Sequence, residues 1–291
     1  TRTYCYDANG NLTSDSAGLA IQYDHQNLPT KATRGSQTDW FRYGPDGMRT
    51  RSWGADGARV YLPGYEHRTD TGETKVYVGD YAVISRTGST RKVEYLLKDR
   101  LGSVDAVANA SGSVIETRGY DAFGKPRDGA WNDLTPARIA STAVTPKGFT
   151  QHEHLNQLEL IHMNGRAYDY HLGRFTGVDP FIQFPLNSQS LNPYSYILNN
   201  PLSGTDPTGY VIQSDEPERS PWEEDQKRHE DFINRAAGRC VTTSCFALAD
   251  NGGKSGSKPT AERREQSGDK DEGFIHRIGR AVAPEFYQDV E

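Results

Sequence analysis

Residues 6–12 read YDANGNL, and close variants of this sequence recur through the first half of the chain. The variants are YDHQNL at 23–28, YGPDGMR at 43–49 and YDAFG at 120–124. Each places a tyrosine ahead of Asp, Asn or Gly, the residues that tolerate the positive φ of hairpin turns. One unit of roughly 18 residues holds two short strands and cannot bury its aromatic face alone, so we expect the units to pair into one continuous sheet.

The residues within and between these units indicate hairpins. Three dipeptides have hairpin-turn sequences: Asn9-Gly10, Asp46-Gly47 and Asp56-Gly57. Residues 74–78, 91–96 and 113–117 alternate polar and apolar side chains with a period of two, which is typical of strands with one solvated face.

The chain of 291 residues is poor in hydrophobic residues, which make up 34% of it, and its mean hydropathy is -0.78. Two interpretations fit: part of the chain is disordered, or the fold encloses water instead of a dense core. The net charge is -6, which gives no basic field for nucleic acid.

The chain has no apolar run of 18 residues, so we expect no membrane span. It begins at Thr1 without a signal-like stretch, as a fragment of a longer protein would.

The three cysteines, Cys5, Cys240 and Cys245, do not make a disulfide framework, because their number is odd. Cys240 and Cys245 are separated by four residues, which is not CxxC spacing, and no Cys or His cluster completes a zinc site. Free thiols, a Cys240–Cys245 disulfide and a metal site all remain open, with free thiols favoured.

A dense block of motifs follows an irregular stretch with several prolines. It consists of GFTQHEHL at 148–155, HMNGRAYD at 162–169, GRFTGVDP at 173–180, NPYSY at 192–196, NNP at 199–201 and DPTGY at 206–210. This block resembles the Rhs-repeat-associated core domain, and the repeats before it, above all residues 95–127, resemble the YD repeats of Rhs proteins, Tc-toxin C subunits and wall-associated proteins.

The resemblance implies a mainly β fold, in which a spiralling antiparallel sheet of YD repeats forms part of a hollow β-cocoon around a toxic polypeptide. It divides the chain into a shell segment at 1–130, a loop at 131–147, a core or plug domain at 148–210 and a variable, partly helical or disordered tail at 211–291. The repeats are too few to close a shell, so we expect either upstream shell sequence or a different use of the repeats.

The resemblance also implies that the core cuts the chain between Tyr210 and Val211. It assigns Asp179 and Asp206 as the catalytic pair and Arg166 as the arginine beside them. Two carboxyl groups held a few ångströms apart share a proton, so one activates water and the other donates. Val211 has no hydroxyl or thiol for an acyl shift, and the core block contains no cysteine nucleophile.

Each of these residues also has a structural interpretation. Asp-Pro pairs are common in turns, and Arg166 equally suits a surface or carboxylate-pairing role. His152 and His154 flank Glu153, but ligands at i and i+2 without a third favour a packed or solvated strand. We therefore expect no metal and no cofactor.

Two further patterns concern elements of secondary structure. Tyr194 and Tyr196 are expected to line one face of a strand. In the tail, helices are expected at 222–237 and 273–283, with a disordered stretch at 251–273. His229, Glu230 and Asp231 suit a solvated helix better than a nuclease, and the GGKSGS at 252–257 lacks the spacing of a phosphate loop.

These observations predict an Rhs-type toxin component that encloses a C-terminal effector and releases it by in-cis aspartyl autoproteolysis. The resemblance implies secretion or delivery into target cells, including type VI secretion in interbacterial competition, with a bacterial-surface location as a variant. The expected partners are the cleaved tail, the upstream shell, secretion machinery and an immunity protein. The alternative is a non-enzymatic cell-surface or carbohydrate-binding YD-repeat protein.

Overall fold

The computed structural model describes residues 2–128, 131–135 and 143–214, and these residues are mainly β. Thirteen strands make the main sheet, and each is antiparallel to the next along the chain. They are β1 (Tyr4–Tyr6), β2 (Leu12–Asp15), β3 (Leu19–Tyr23), β4 (Pro29–Arg34), β5 (Gln37–Tyr43), β6 (Arg49–Gly54), β7 (Arg59–Leu62), β8 (Tyr65–Arg68), β9 (Thr74–Val78), β10 (Ala82–Thr87), β11 (Thr90–Lys98), β12 (Val104–Asn109) and β13 (Val114–Thr117). The predicted continuous sheet of stacked repeats is confirmed.

One turn geometry recurs along this sheet and explains the repeated sequence. The Asp7 carboxylate accepts hydrogen bonds from the backbone N–H groups of Asn9 at 2.9 Å and Asn11 at 2.8 Å, and Gly10 has a φ of +84°. Side-chain acceptors bonded to the N–H groups two and four residues later also occur at Asp15, Asp24, Asp99, Asn109 and Asp121. In all six turns the third residue after the acceptor has a positive φ, which is why Gly or Asn stands there.

The strands predicted from alternation are also present, but their inner face is more polar than the pattern suggested. In β9 the buried side chain is Lys75, while Val76 is only partly buried. Arg59 lies 2.9 Å from Glu66, and both line, with Lys75 and Glu94, a polar cleft of about 660 Å³. Opposite charges and access to water stabilise these inward-facing groups, so this face needs fewer apolar residues.

A second, smaller sheet packs against the inner face of the first five strands. It has four antiparallel strands, β16 (Glu153–Leu155), β17 (Leu160–Met163), β18 (Arg166–Asp169) and β19 (Arg174–Phe175). Its apolar side chains join those of the main sheet in one core cluster, whose members are Leu12, Leu19, Ile21, Ala32, Phe41, Leu155, Leu158, Leu160 and Ala167. Two short hairpins complete the β structure: β14 (Gly119–Tyr120) with β15 (Pro126–Arg127), and β20 (Gly204–Thr205) with β21 (Gln213–Ser214).

The repeat tyrosines hold the two sheets together. Tyr23 donates to Thr176 at 3.2 Å, and Tyr43 hydrogen bonds to the His162 ring at 2.9 Å. Tyr61 donates to Glu153 at 3.0 Å. Further along, Tyr77 and Thr145 share a hydrogen bond of 2.7 Å. The aromatic face of the repeats is therefore buried by the core as well as by neighbouring repeats.

Tyr194 and Tyr196 do not lie in a strand, so that expectation was wrong. Ser195 between them makes only an isolated bridge to Arg174. Tyr196 is fully buried and Tyr194 is partly buried, because the chain turns into a 3₁₀ helix at Ile197–Asn199 and ends the alternation. Other 3₁₀ helices span Phe149–Gln151, Asn156–Leu158 and Ser188–Leu191.

Several predictions fall outside the described residues. They include both helices expected in the tail, the disordered stretch, and the state of Cys240 and Cys245. Cys5 lies in β1 and is an exposed free cysteine. Within the described ranges, no helix is long and apolar enough to cross a membrane.

Candidate active site

Arg166 lies at the start of β18 and joins two loops of the core. Its side chain is only 3% exposed. The Nη2 atom lies 3.0 Å from Asp179 Oδ2 and 3.5 Å from Asp206 Oδ2. Its Nη1 atom donates to the Pro193 carbonyl at 3.1 Å, and Nε donates to the Gly209 carbonyl. The structure thus brings together the three side chains that the sequence assigned to one site.

The two aspartates approach Arg166 from different loops. Asp179 follows β19 and uses Oδ1 to accept the Phe181 N–H at 2.9 Å, so it does cap a turn while Oδ2 faces Arg166. Asp206 follows β20 and is 2% exposed. Burial raises the pKa of both carboxyl groups above its ordinary value, and the nearby guanidinium opposes that rise. Asp179 also contributes to the raised pKa of Asp206, since like charges disfavour ionisation.

The peptide bond between Tyr210 and Val211 lies directly beside this cluster. The Val211 N–H donates to Asp206 Oδ1 at 2.9 Å. The Tyr210 carbonyl accepts from Gln183 Nε2 at 2.6 Å, and the Ile212 N–H, one residue past the bond, donates to Gln183 Oε1 at 2.9 Å. Protein side chains therefore hold both the carbonyl oxygen and the nitrogen of this bond.

Two glycines determine the position of Tyr210: Gly165 contacts its side chain, and Gly209 shapes the backbone before it. Its hydroxyl donates to the Gly165 carbonyl at 3.0 Å, and its ring fills the position that a Cβ on Gly165 would need. Gly209 has a φ of +77°, and a Cβ there would lie 2.0 Å from the Met163 carbonyl oxygen. The DPTGY sequence therefore requires glycine at position 209 to bring the bond beside Asp206.

A small cavity of about 20 Å³ lies between the two aspartates, Arg166 and Gln183. A cavity needs on the order of 10–15 Å³ to hold one water molecule. This space is therefore sufficient for a single water molecule, and the charged and amide side chains that line it can bind one.

The chain resembles known proteins in both sequence and fold, although no protein-family model matches it. It is 27% identical over 218 residues to the tRNA(Glu)-specific nuclease WapA of Bacillus subtilis subsp. natto, covering 72% of this chain and 8% of that protein. Its fold matches the crystal structure of TcdB2-TccC3-Cdc42, with a TM-score of 0.57 and 19% identity over 70% of this chain and 11% of the other. It also matches the Photorhabdus luminescens Tc holotoxin pore carrying a TccC3 mutation, with a TM-score of 0.55 and 18% identity over 73% of this chain and 11% of that one.

In sequence and in fold, the chain is similar to Rhs/YD-repeat proteins. The chain spans only about a tenth of the length of the proteins that it resembles. The likeness to the solved structures concerns the fold alone.

His152 and His154, which flank Glu153, are both buried within the core. The His154 ring accepts the Phe149 N–H at 3.0 Å, and His152 hydrogen bonds to the Thr150 hydroxyl at 2.9 Å. Burial lowers the pKa of His152 to about 4 and that of His154 to about 3, so both are neutral at physiological pH. Glu153 points the other way and pairs with shell residues, so the three side chains do not converge.

Gln183 is the residue of this site that sequence reasoning missed. It stands in a segment without regular secondary structure, between Pro180 and Pro185, and no motif spacing points to it. Its approach to the bond after Tyr210 depends on how the two loops pack, and only the three-dimensional structure contains that information.

Proposed function

We propose that this chain is part of a toxin carrier that cuts itself between Tyr210 and Val211 and thereby frees the segment that includes residues 211–291 as an effector. The observation that carries the proposal is the 2.9 Å hydrogen bond from the Val211 N–H to Asp206. It places the nitrogen that must leave beside a carboxyl group that shares Arg166 with Asp179.

The geometry suggests different roles for the two carboxyl groups. Asp179, in its ionised form, accepts a proton from the attacking water as the water oxygen bonds to the Tyr210 carbonyl carbon. Asp206, in its protonated form, then donates its proton to the Val211 nitrogen as the carbon–nitrogen bond breaks. The products are a carboxylic acid at Tyr210 and an amine at Val211. Arg166 stabilises whichever carboxyl group is ionised, because Nη2 faces both.

Intact-mass spectrometry of purified variants tests this proposal. The wild-type chain is expected to yield fragments of 210 and 81 residues. Asp179→Asn and Asp206→Asn should each leave the chain whole, because an amide neither accepts the proton from water nor donates one to the leaving nitrogen.

The matched control is Asp99→Asn. Asp99 accepts the N–H groups of Leu101 and Ser103 in a shell turn, and Asn109 fills the same role in another turn, so this variant should fold and cut normally. Cleavage that persists in both active-site variants would refute the aspartate pair. An intact wild type would instead favour the non-enzymatic surface protein.

The effector role of residues 211–291 is a separate part of the proposal. It is supported by the likeness to WapA, which is named as a nuclease, and to TccC3, for which one structure lacks a hypervariable C-terminal region. Delivery by secretion, to a target cell that lacks an immunity protein, is proposed on the same basis. Expression of residues 211–291 inside a bacterium should arrest growth, and normal growth at detectable protein levels would contradict an active effector.

A further inference from the structure

We propose that Gln183 is a further catalytic residue of the self-cleavage reaction, because its side-chain amide holds the carbonyl oxygen that becomes negatively charged. The inference rests on the proposed cleavage between Tyr210 and Val211. It adds a transition-state stabiliser that neither the repeated motifs nor the aspartate pair supplies.

The contacts of Gln183 determine the orientation of its amide. The Ile212 N–H can only donate, so the atom that faces it at 2.9 Å must be Oε1. The amino group Nε2 then necessarily faces the Tyr210 carbonyl oxygen, at 2.6 Å. The two bonds lie on opposite sides of Val211, so Gln183 holds the backbone on both sides of the residue that leaves.

This position has a specific chemical consequence. When water adds to the Tyr210 carbonyl carbon, the carbonyl oxygen gains negative charge, and a donor already bonded to it strengthens its hydrogen bond. Arg166 is not placed for this task, since its Nε atom donates to Gly209, one carbonyl earlier in the chain. Gln183 therefore acts on the oxygen while Asp206 acts on the nitrogen.

The segment around Gln183 is held in place on both sides. The Asp179 carboxylate caps the turn that begins it, by accepting the Phe181 N–H. The Phe181 ring packs edge-on against the Tyr210 ring, with centroids 6.3 Å apart. One loop thus carries both Asp179 and Gln183, and the other carries Asp206 and the bond to be cut. The reaction is possible only when the two loops have docked, which makes cleavage dependent on folding of the core.

Gln183→Leu and Gln183→Glu test the proposal in the full chain. The rate is the appearance of the 210-residue fragment after refolding from denaturant, followed by intact-mass spectrometry. Gln183→Leu removes the donor and should slow cleavage by about 10²–10³-fold, the loss typical of a missing oxyanion donor.

Gln183→Glu separates a catalytic role from a structural one. It keeps an oxygen for the Ile212 N–H but places a carboxylate against the developing oxyanion, so cleavage should be slow at neutral pH. Protonation of that carboxyl in acid restores an O–H donor, so the variant should recover more of its rate at low pH than Gln183→Leu does. The control Gln189→Glu changes an exposed glutamine of the same region and should cut at the wild-type rate.

Each outcome decides between explanations. Wild-type cleavage rates in Gln183→Leu would overturn the role of Gln183 and leave the aspartate pair intact. A purely structural role of Gln183 would slow cleavage equally in both variants at every pH. It would also lower the melting temperature of each variant, measured in chains that carry Asp206→Asn and so remain uncut. A wild type that never cuts would overturn the proposed function, and this inference with it.

Discussion

Arg166 is the residue on which the site depends, because two carboxyl groups and two backbone carbonyls all meet its guanidinium. Burying an arginine or a carboxylate alone is costly, and the cost is offset only when the charges are paired and hydrogen bonded. Here Asp206 is buried and Asp179 partly buried, and burial raises the pKa of both. A raised carboxyl pKa lets the proton donor keep its proton closer to neutral pH than an exposed aspartate, whose pKa is about 3.9.

The pH dependence of cleavage follows from these shifts. The proposed cleavage needs one carboxyl group protonated and one ionised. The rate should therefore fall as pH rises through the raised pKa of the donor, and fall again in acid when both groups are protonated. Cleavage rates of the refolded chain, measured from acid to mildly alkaline pH, should give a bell-shaped profile. A rate that climbs steadily towards alkaline pH would contradict the aspartate pair.

At the scale of elements, the site is built by one strand and two loops. Strand β18 supplies Arg166, the loop after β19 supplies Asp179 and Gln183, and the loop after β20 supplies Asp206 and the bond itself. Gly209 makes the second loop possible, because its positive φ lets the chain turn against the Met163 carbonyl.

Gly209→Ala should therefore displace Tyr210 and stop cleavage, since the added Cβ would lie 2.0 Å from a backbone oxygen. Gly112→Ala is the matched control, because Gly112 has a similar φ of +82° but open space around it. Both variants incur the left-handed strain of about 1–2 kcal/mol, but only Gly209→Ala adds a clash at the site. Melting temperature and fragment yield should separate the two, and normal cleavage in Gly209→Ala would contradict the assigned loop geometry.

The local elements of the fold could be predicted well from the sequence, whereas features that depend on long-range packing could be predicted only in part. Turn chemistry at Gly10 and Gly47, and the strand at residues 74–78, follow from neighbours within a few residues. The burial of Lys75 could not be predicted, because an alternation with a period of two does not reveal that the inner face of the sheet borders a polar cleft. Gln183 did not follow either, because no local pattern distinguishes it from other loop glutamines.

At the scale of the whole molecule, the core is docked on the shell through the repeat tyrosines. Tyr23, Tyr43 and Tyr61 each form a hydrogen bond with the core, and Tyr77 forms one with Thr145 in the segment just before it. Cutting the chain after Tyr210 leaves these contacts unchanged. Those contacts all lie within residues 1–210, so they do not hold the freed segment. The start of that segment is expected to stay bound through the pairing of β21 with β20 and through the Ile212 N–H bond to Gln183.

In the proposed reaction, water hydrolyses the bond between Tyr210 and Val211 within the folded chain. The most direct measurement is refolding of the wild type in water enriched with heavy oxygen, followed by mass spectrometry of the two fragments. The account predicts a fragment ending at Tyr210 that carries one heavy oxygen atom in its new carboxyl group, and a second fragment that begins at Val211 without label. An uncut chain, a cut at another bond, or an unlabelled Tyr210 terminus would contradict it.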